Sequence, residues 1–218
     1  MFDPSKACWS DDFIGIAVDP RYHISCAPGG LVKPSASPSI GGWLHMACNP
    51  VGGAAARIRI GDDPKVSPYD AMPFSASKNV IAKARLKINM AVEGSAPLAQ
   101  VTVGFVGRND PDNVIAALFG NPAAPENVWS VQTRKGGNGI NSQSSFRHTP
   151  GATFEIELRT TPASATMLIN GAPVVATDQF ITDSVLAFEF QLWNKPIAAG
   201  GYSSPAMWID YLHIEQGR

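Results

Sequence analysis

Glu155 and Glu157 are two carboxylates whose spacing could support acid–base chemistry. In a strand both side chains lie on one face, with Cα atoms roughly 6.6 Å apart at about 3.3 Å per residue. Retaining glycoside hydrolysis requires two carboxyl groups about 5 to 5.5 Å apart, one as nucleophile and one as acid and base. Arg159 follows on the same face, which is typical of a solvated strand surface with balanced charges. We favour that second interpretation and predict that the protein is not an enzyme.

Tryptophan and polar side chains on two other segments suit carbohydrate binding. Trp193 shares its predicted strand face with Glu189 and Gln191, and Trp129 lies near Gln132 on a second segment. An aromatic ring with polar neighbours matches the apolar face and the hydroxyl groups of a pyranose. We predict a sugar-binding site from these five residues. The alternative, that each tryptophan packs in the core or in an interface, stays open.

The sequence contains none of the compact motifs of other catalytic classes. It has no Gly-x-Ser-x-Gly turn, no His-Glu-x-x-His motif and no phosphate-binding glycine loop followed by Lys and Ser or Thr. The chain has three cysteines, Cys8, Cys26 and Cys48. This number is odd and too small for disulfide bonds to stabilise a chain of 218 residues. Their spacing relative to His23 and His45 matches no zinc pattern. We predict free thiols packed as small hydrophobic groups, and no required cofactor.

Apolar and polar residues alternate along three long segments, residues 80–90, 153–160 and 185–193. A period of two is the pattern of a half-buried antiparallel strand. We assign the last two segments to strands of one sheet. Between them Asn170-Gly171, flanked by apolar residues, is the residue pair that most readily forms a type I′ hairpin turn.

Shorter segments also have strand character, namely residues 43–47, 54–60, 101–106, 114–119 and 128–134. With the two chain ends, about a dozen short strands fit the sequence. No stretch offers a helix of three turns without interruption by Gly, Pro or β-branched residues. Antiparallel strands with one apolar face each form a two-sheet sandwich or a barrel. We predict an all-β antiparallel sandwich of the jelly-roll type, with polar loops at residues 26–40 and 136–149 that carry binding contacts or form a disordered bridge.

Composition places the chain among globular proteins of one domain. Of the 218 residues 44% are hydrophobic and 16% charged, and the 20 Gly and 18 Pro are spread along the chain. The formal net charge of −1 gives no basic field for nucleic acid or an acidic membrane. The first residues lack the features of a signal peptide, and no apolar run reaches the roughly 20 residues of a membrane span. We expect a soluble protein made in the cytosol, with an N-terminal arm at residues 1–8 and a sandwich domain at residues 9–218.

Four motifs, taken in order, resemble one known group of proteins. They are Asp11-Asp12-Phe13-x-Gly15, Gly41-Gly42-Trp43-Leu44, Phe154-Glu155-Ile156-Glu157-Leu158 with the Met167-Leu168-Ile169-Asn170-Gly171 hairpin, and Ile209-Asp210-Tyr211. Their order and spacing are similar to those of concanavalin A-like lectin/glucanase domains, which are laminin-G-like jelly rolls. The opening and closing motifs look like those of such domains in structural proteins of tailed bacteriophages. The resemblance implies that the first and last strands lie side by side.

Resemblance to the phage domains implies a non-enzymatic virion protein, either a capsid decoration or cement protein or a head-fibre or tail accessory protein, made in the host cytoplasm. Its partners would be other virion proteins and further copies of itself, with Phe2, Trp9 and Tyr22 as the assembly interface. The alternative function is a carbohydrate-binding module that attaches to host surface glycans. A third, a laminarinase-like glycoside hydrolase, requires a Glu-x-Asp-x-(x)-Glu strand, whose aspartate and third acid are absent from this sequence. Neither nucleic acid binding nor membrane insertion is expected.

Asp210 has a possible role that the resemblance alone implies. In many sandwiches of this group an aspartate in the last strand binds a structural calcium ion, together with backbone carbonyls of the N-terminal segment. One carboxylate makes a weak site for such a hard cation. The alternative, which we prefer, is that Asp210 accepts hydrogen bonds from the N-terminal strand.

Overall fold

The computed structural model describes residues 6–13, 18, 22–34, 42–61, 74–75, 77–90, 99–107, 112–120, 128–136, 138–177, 185–194 and 204–217. Across these residues the chain forms sixteen strands in two eight-stranded antiparallel sheets, and no helix. This part of the chain therefore contains no helix that is long and apolar enough to cross a membrane. The all-β antiparallel sandwich predicted from the sequence is confirmed.

Each sheet draws strands from both halves of the chain. The first sheet contains β1 (Lys6–Asp11), β3 (Gly30–Pro34), β4 (Leu44–Cys48), β7 (Val80–Asn89), β12 (Thr153–Thr160), β13 (Ala165–Ile169), β14 (Ala172–Thr177) and β16 (Ala206–Gly217). The second sheet contains β2 (His23–Cys26), β5 (Ala55–Ile60), β6 (Phe74–Ser75), β8 (Ala99–Gly107), β9 (Val114–Phe119), β10 (Val128–Lys135), β11 (Asn138–Arg147) and β15 (Val185–Asn194).

The strand order places sequence-distant strands next to each other. The first sheet runs β14, β13, β12, β7, β16, β4 and β3, and β1 also pairs with β16. The second runs β11, β10, β9, β8, β15, β5 and β2, and β6 also pairs with β15. Central strands of both sheets therefore have neighbours that no local pattern specifies.

The core lies between the sheets, where their alternating apolar side chains meet. In β7 every second side chain from Val80 to Ile88 is buried, as the period of two predicts. The second sheet contributes Phe105, Phe188 and Phe190, which pack edge to face with ring centroids 5.1 Å apart in each successive pair. Each large apolar side chain buried in this way contributes about 1.5–3 kcal/mol. This burial provides most of the stability that holds the two sheets together.

The assignment of residues 153–160 and 185–193 to one sheet is wrong. β12 pairs with β7 in the first sheet, whereas β15 pairs with β5 and β8 in the second. Each strand buries one apolar face, and the two faces pack into the same core from opposite sides. Alternation therefore shows which face is buried but does not show to which sheet a strand belongs.

The turn between β13 and β14 is confirmed at Asn170-Gly171. The φ angles of Asn170 and Gly171 are 51° and 79°, both in the left-handed region that a type I′ turn requires. The Asn170 side chain also accepts a hydrogen bond from the backbone N–H of Glu155 at 2.9 Å, and its own N–H donates to the Glu155 carbonyl at 2.9 Å. The turn is thus tied to the neighbouring strand β12.

The polar loop expected at residues 136–149 is instead mostly a strand. β11 pairs with β10 over most of its length and forms the edge of the second sheet. Most of its side chains are exposed or half-buried, so its sequence shows no apolar alternation. In the other predicted loop, residues 26–40, β3 pairs with β4. Residues 35–40 of that loop lie outside the described residues.

The first and last strands lie side by side, as predicted. β1 pairs antiparallel with the second half of β16, from Lys6 opposite Gly217 to Asp11 opposite Leu212. The last residues of the arm predicted at residues 1–8 therefore belong to the first sheet. Phe2, the first residue of the expected assembly interface, lies outside the described residues.

The other two residues of that expected interface, Trp9 and Tyr22, contact their own chain, and the burial of Tyr22 corrects its place in that interface. Tyr22 is only 6% exposed and donates a hydrogen bond from its hydroxyl to Asp11 at 2.6 Å. Trp9 packs edge to face against Tyr22, with ring centroids 5.5 Å apart, and is partly buried against the core. These rings attach the first strand to the sandwich. Tyr22 has little surface left for a partner, whereas Trp9 is partly exposed and its role in an interface stays a prediction.

Candidate functional site

A groove lies on the outer face of the second sheet and has a volume of about 250 Å³. Its walls and floor come from the five neighbouring strands β5, β15, β8, β9 and β10. The lining residues are Arg57, Arg59, Gln100, Thr102, Val106, Val114, Leu118, Gln132, Arg134, Glu189 and Gln191. Three residues of the predicted sugar site, Gln132, Glu189 and Gln191, meet here although they lie on different strands.

The groove exists because the middle of the sheet carries small residues. One row across five strands consists of Arg59, Glu189, Gly104, Ala116 and Gln132, each paired with the next. Residues paired across antiparallel strands point to the same face. The short side chains in the middle of the row leave space between the long ones at its ends.

Gly104 sets the depth of this floor. Its φ angle is 156°, a conformation that favours glycine. A Cβ atom at this position would lie 2.4 Å from the backbone oxygen of Ile115 and 2.5 Å from the Cα atom of Ala116. β8 and β9 therefore approach each other here more closely than a side chain permits.

The floor is apolar and the rim is polar. Val106, Val114 and Leu118 are each at most 6% exposed and form, with Ala116, a small cluster separate from the main core. Amide, hydroxyl and guanidinium groups of the other lining residues surround this cluster. An apolar patch enclosed by hydrogen-bonding groups is the usual composition of a small-molecule site.

The charges in the groove sum to a positive value. The Glu189 side chain is only 4% exposed, and its Oε2 lies 2.5 Å from Arg59 Nε and 3.4 Å from Arg57 Nε. Arg57 Nε is buried and forms no hydrogen bond. Arg134 also lines the groove, 3.6 Å from Asp112, a largely exposed aspartate outside the lining set. The lining residues thus carry three positively charged guanidinium groups and one carboxylate.

Of the two predicted tryptophans, only Trp193 lies near the groove. It is partly exposed in β15, two residues beyond Gln191, and pairs with Gln100 of the rim. Trp193 therefore flanks one end of the groove. The rim residues that the sequence prediction omitted include Gln100 and Thr102.

Trp129 is a core residue, which corrects its assignment to the sugar site. It has no exposed surface and packs against Phe119 and Phe154, with ring centroids 5.4 and 5.6 Å away. Trp129 and Gln132 are three residues apart in β10, and an odd spacing in a strand puts side chains on opposite faces. The period of two therefore separates these two residues even at the sequence level.

The glutamates Glu155 and Glu157 lie far from the groove, on the outer face of the first sheet, and both are engaged in polar contacts. Glu157 is only 3% exposed, lies 2.8 Å from Lys83 Nζ and forms a second ion pair with Arg159. Glu155 accepts a hydrogen bond from the hydroxyl of Tyr211. These contacts agree with the predicted charge balance of this strand face, but Glu157 is buried rather than solvated.

The protonation behaviour of Glu157 also argues against an acid catalyst. Burial acts to raise the pKa of Glu157, but hydrogen bonds from Lys83 and Arg159 outweigh burial and hold that pKa below its ordinary value. A glycosidase acid needs the opposite shift, so that it remains protonated near neutral pH.

Asp210 contacts a cation from another strand rather than the N-terminal strand that we expected. Its Oδ2 accepts a hydrogen bond from Arg85 Nη1 at 2.7 Å. A calcium ion takes six to eight oxygen ligands, and the guanidinium already neutralises this carboxylate. Residues 14–17 and 19–21 of the N-terminal segment lie outside the described residues, so a calcium ion at Asp210 stays a prediction.

The three cysteines are free, but only one packs as a small hydrophobic group. Cys48 is buried, its Sγ lies 3.5 Å from the Leu192 carbonyl, and burial raises the pKa of this thiol to about 11. Cys8 and Cys26 are exposed, which corrects the prediction that they are packed.

No protein-family model and no curated protein sequence matches this chain. Solved structures do resemble it. A protein of unknown function from Shewanella oneidensis MR-1 matches 97% of this chain and 87% of its own length, with a TM-score of 0.66 and 9% identity. The Emp47p carbohydrate recognition domain matches 97% of this chain and 95% of its own length, with a TM-score of 0.65 and 8% identity. Peanut lectin matches over 97% of both chains, with a TM-score of 0.63 and 9% identity.

These similarities extend over nearly the whole chain and concern its fold. The sandwich has a jelly-roll fold similar to that of these lectin domains, as the sequence motifs implied. Identities of 8 to 9% carry no residue-level correspondence, so any ligand has to be inferred from the groove itself. The virion role, the copies of itself and the cytoplasmic synthesis that we expected stay predictions.

Proposed function

We propose that this protein is a carbohydrate-binding module and that the groove of the second sheet is its binding site. The observation that carries the proposal is the apolar floor of Val106, Val114 and Leu118, surrounded by amide and guanidinium groups. A pyranose presents C–H groups on its ring face and hydroxyls around its edge, which this arrangement complements. A lectin and a carbohydrate recognition domain share the fold, which supports the proposal.

The size of the groove favours one sugar ring over a long glycan. Its volume of about 250 Å³ lies below the roughly 300–1,000 Å³ of pockets that hold drug-sized ligands. Trp193, at the end of the groove, is placed to stack on a second ring or on a substituent. We therefore expect recognition of a terminal residue, with weaker contacts to the next one.

The charge of the groove favours an acidic sugar. Arg57 and Arg59 share the single carboxylate of Glu189, and Arg134 adds a third guanidinium to the lining. Guanidinium groups bind carboxylates through charge-assisted hydrogen bonds, and the Arg57 side chain is 36% exposed beside the groove. A uronic or sialic acid residue would supply that carboxylate.

The experiment is a glycan array containing neutral and acidic terminal sugars, followed by calorimetry with the best ligand. The double variant Gln132→Ala/Gln191→Ala removes the rim amides, Arg57→Ala removes a cation, and Trp193→Ala removes the flanking ring. The control is Thr166→Ala, which removes an outward polar group of β13 in the other sheet. We expect affinity to fall at least tenfold in each groove variant and to stay unchanged in the control. No binding by the unmodified protein, or equal binding by the groove variants, would refute the proposal.

Attachment to a phage particle is a separate prediction from the carbohydrate proposal. It derives from the Asp-Asp-Phe opening and the Ile-Asp-Tyr closing of the sequence. Mass spectrometry of purified particles tests it, and a glycan-binding module carried on a virion satisfies both predictions. We propose no catalytic role for the groove, since Glu189 is held by two arginines.

A further inference from the structure

Three metal-ligating side chains meet where the two ends of the chain pair. Cys8 in β1 lies opposite Glu215 in β16, and His213 precedes Glu215 by two residues on the same face. The Cys8 thiol, a His213 ring nitrogen and a Glu215 carboxylate oxygen all lie within 4.8 Å of one another. Because the residues come from distant parts of the sequence, no local spacing motif predicts this cluster.

We propose that Cys8, His213 and Glu215 bind a divalent cation of the zinc type. Thiolate sulfur, imidazole nitrogen and carboxylate oxygen are the ligands that zinc takes in proteins. With metal–ligand bonds of about 2.0–2.3 Å, donors around a tetrahedral ion lie roughly 3.3–3.8 Å apart. The three groups therefore have to approach by at most about 1 Å, which side-chain rotation on an accessible face permits.

A hydrogen bond orients the histidine for this role. The Ser10 hydroxyl lies 2.7 Å from His213 Nδ1, and His213 Nε2 lies 3.9 Å from Glu215 Oε2. If Nδ1 carries the proton and donates to Ser10, the lone pair of Nε2 points toward the carboxylate side of the cluster. Metal-binding histidines usually have such a partner on the second nitrogen, because it fixes the tautomer and the ring orientation.

The electrostatic surroundings permit a cation. Lys83 of β7 lies opposite His213, but its ammonium group is 2.8 Å from Glu157 and is therefore neutralised. The neighbour of Glu215 in β7 is the uncharged Ile81. A thiolate and a carboxylate balance the two charges of the metal ion. Three protein ligands leave the fourth tetrahedral position for water or another donor.

The cation would connect the first strand to the last. Cys8 belongs to β1, and both other ligands belong to β16, so a bound ion stabilises that strand pair. The site lies on the first sheet and does not share residues with the groove on the second sheet. It also differs from the calcium expected at Asp210, which lies outside this group of ligands.

The test uses the full chain, freed of metal with a chelator and kept under a phosphine reductant. Cobalt(II) is added as the probe, because a thiolate ligand gives an intense near-ultraviolet charge-transfer band and tetrahedral geometry gives visible bands. We expect one cobalt ion per chain with both features, and displacement of cobalt by zinc. Cys8→Ser should abolish the charge-transfer band. Ser10→Ala should weaken zinc binding by roughly 10- to 100-fold, as loss of an orienting partner does.

The matched control is Cys26→Ser, which removes the other exposed thiol, on the second sheet. This variant should keep the cobalt spectrum and the zinc affinity of the parent chain. His213→Gln and Glu215→Gln should each lower zinc affinity more than tenfold, with unchanged far-ultraviolet circular dichroism. The proposal is overturned if the parent chain shows no thiolate band, or if that band survives in Cys8→Ser or disappears in Cys26→Ser.

Discussion

Glu189 and Glu157 are both outward-facing glutamates that are almost completely buried, and each is held by two cations. Burying a carboxylate is costly unless cations and hydrogen bonds compensate it. The difference lies in their neighbours across the strands. Glu189 lies between Arg59 and Gly104, whereas Glu157 lies between Lys83 and Leu168. The glycine beside Glu189 leaves space for a ligand, so neighbour size rather than the carboxylate itself distinguishes the candidate site.

Substitution of Glu157 by Gln tests whether this carboxylate is structural. The pKa of folded Glu157 is lowered, so its contribution to stability is present above the ordinary glutamate pKa of about 4.3 and is lost as the pH falls through the folded pKa. At pH 7 we expect Glu157→Gln to lower the free energy of unfolding by about 1–3 kcal/mol, because Lys83 and Arg159 lose their partner. Below pH 4 the difference from the parent chain should shrink. Urea unfolding across this pH range measures both effects.

The control for this prediction is Asp12→Asn, which removes an exposed carboxylate without changing the strand face. It should leave the free energy of unfolding within about 0.5 kcal/mol of the parent chain at pH 7. Equal stability and equal pH dependence in Glu157→Gln and the parent chain would contradict the structural role. Release of reducing sugar from bacterial polysaccharide, lost in Glu157→Gln, would instead favour the hydrolase.

At the scale of single elements, the turn between β13 and β14 combines two separate demands on Asn170. The backbone needs a positive φ angle, and the side chain accepts a hydrogen bond from the backbone of β12. We expect Asn170→Ala to lose both, and Asn170→Gly to lose only the hydrogen bond. The predicted order of stability is therefore Asn, then Gly, then Ala, with Ala about 1–3 kcal/mol below the parent chain. Equilibrium urea unfolding gives the three values, and an alanine variant as stable as the glycine variant would contradict the demand for a positive φ angle.

Elements that depend on local sequence were predictable. The alternation of residues 80–90 predicted β7, and Asn170-Gly171 predicted the turn between β13 and β14. Both patterns act within a few residues. β11 was missed because an edge strand with two largely polar faces shows no alternation. The sheet assignments of β12 and β15 failed for another reason, since partner choice depends on contacts between distant residues.

The candidate site was predictable only in part for the same reason. Glu189 and Gln191 were assigned correctly to one face of β15, because parity along a strand is local. Their proximity to Gln132 depends on the order β15, β8, β9 and β10, which the sequence does not state. The groove also requires the small residues Gly104 and Ala116, which lie between Glu189 and Gln132 in the row of paired residues. That pairing is known only from the strand register.

At the scale of the whole molecule, the two proposed sites lie on different sheets. The groove is built on the second sheet, and the metal ligands lie on β1 and β16 of the first. They share no residue, and the core separates them. Effects of substitutions at distant, independent sites add. Variants of the metal ligands should therefore leave sugar affinity unchanged, which makes failure of one proposal distinguishable from failure of the other.

The antiparallel pairing of the chain ends predicts that this fold tolerates circular permutation. Lys6 lies opposite Gly217, and paired Cα atoms of antiparallel strands are only about 4.5–5.5 Å apart. A short Gly/Ser linker from Gly217 to Lys6 can therefore close the chain. New ends between Pro162 and Ala163 fall in the exposed turn after β12, where no strand pairing is interrupted.

We expect this permutant to keep the far-ultraviolet circular dichroism spectrum, the sugar affinity and the cobalt spectrum of the parent chain, with a Tm within a few degrees. The matched control places the new ends between Ala84 and Arg85, inside β7, which pairs with both β12 and β16. Because that cut divides a central strand of the first sheet, the control permutant should not fold. A permutant opened at Pro162 that fails to fold, while the one opened at Ala84 folds, would show that continuity of the β12–β13 connection matters more than the central strand. Failure of both permutants, which share the same linker, would contradict the inference that Lys6 and Gly217 lie close enough to be joined.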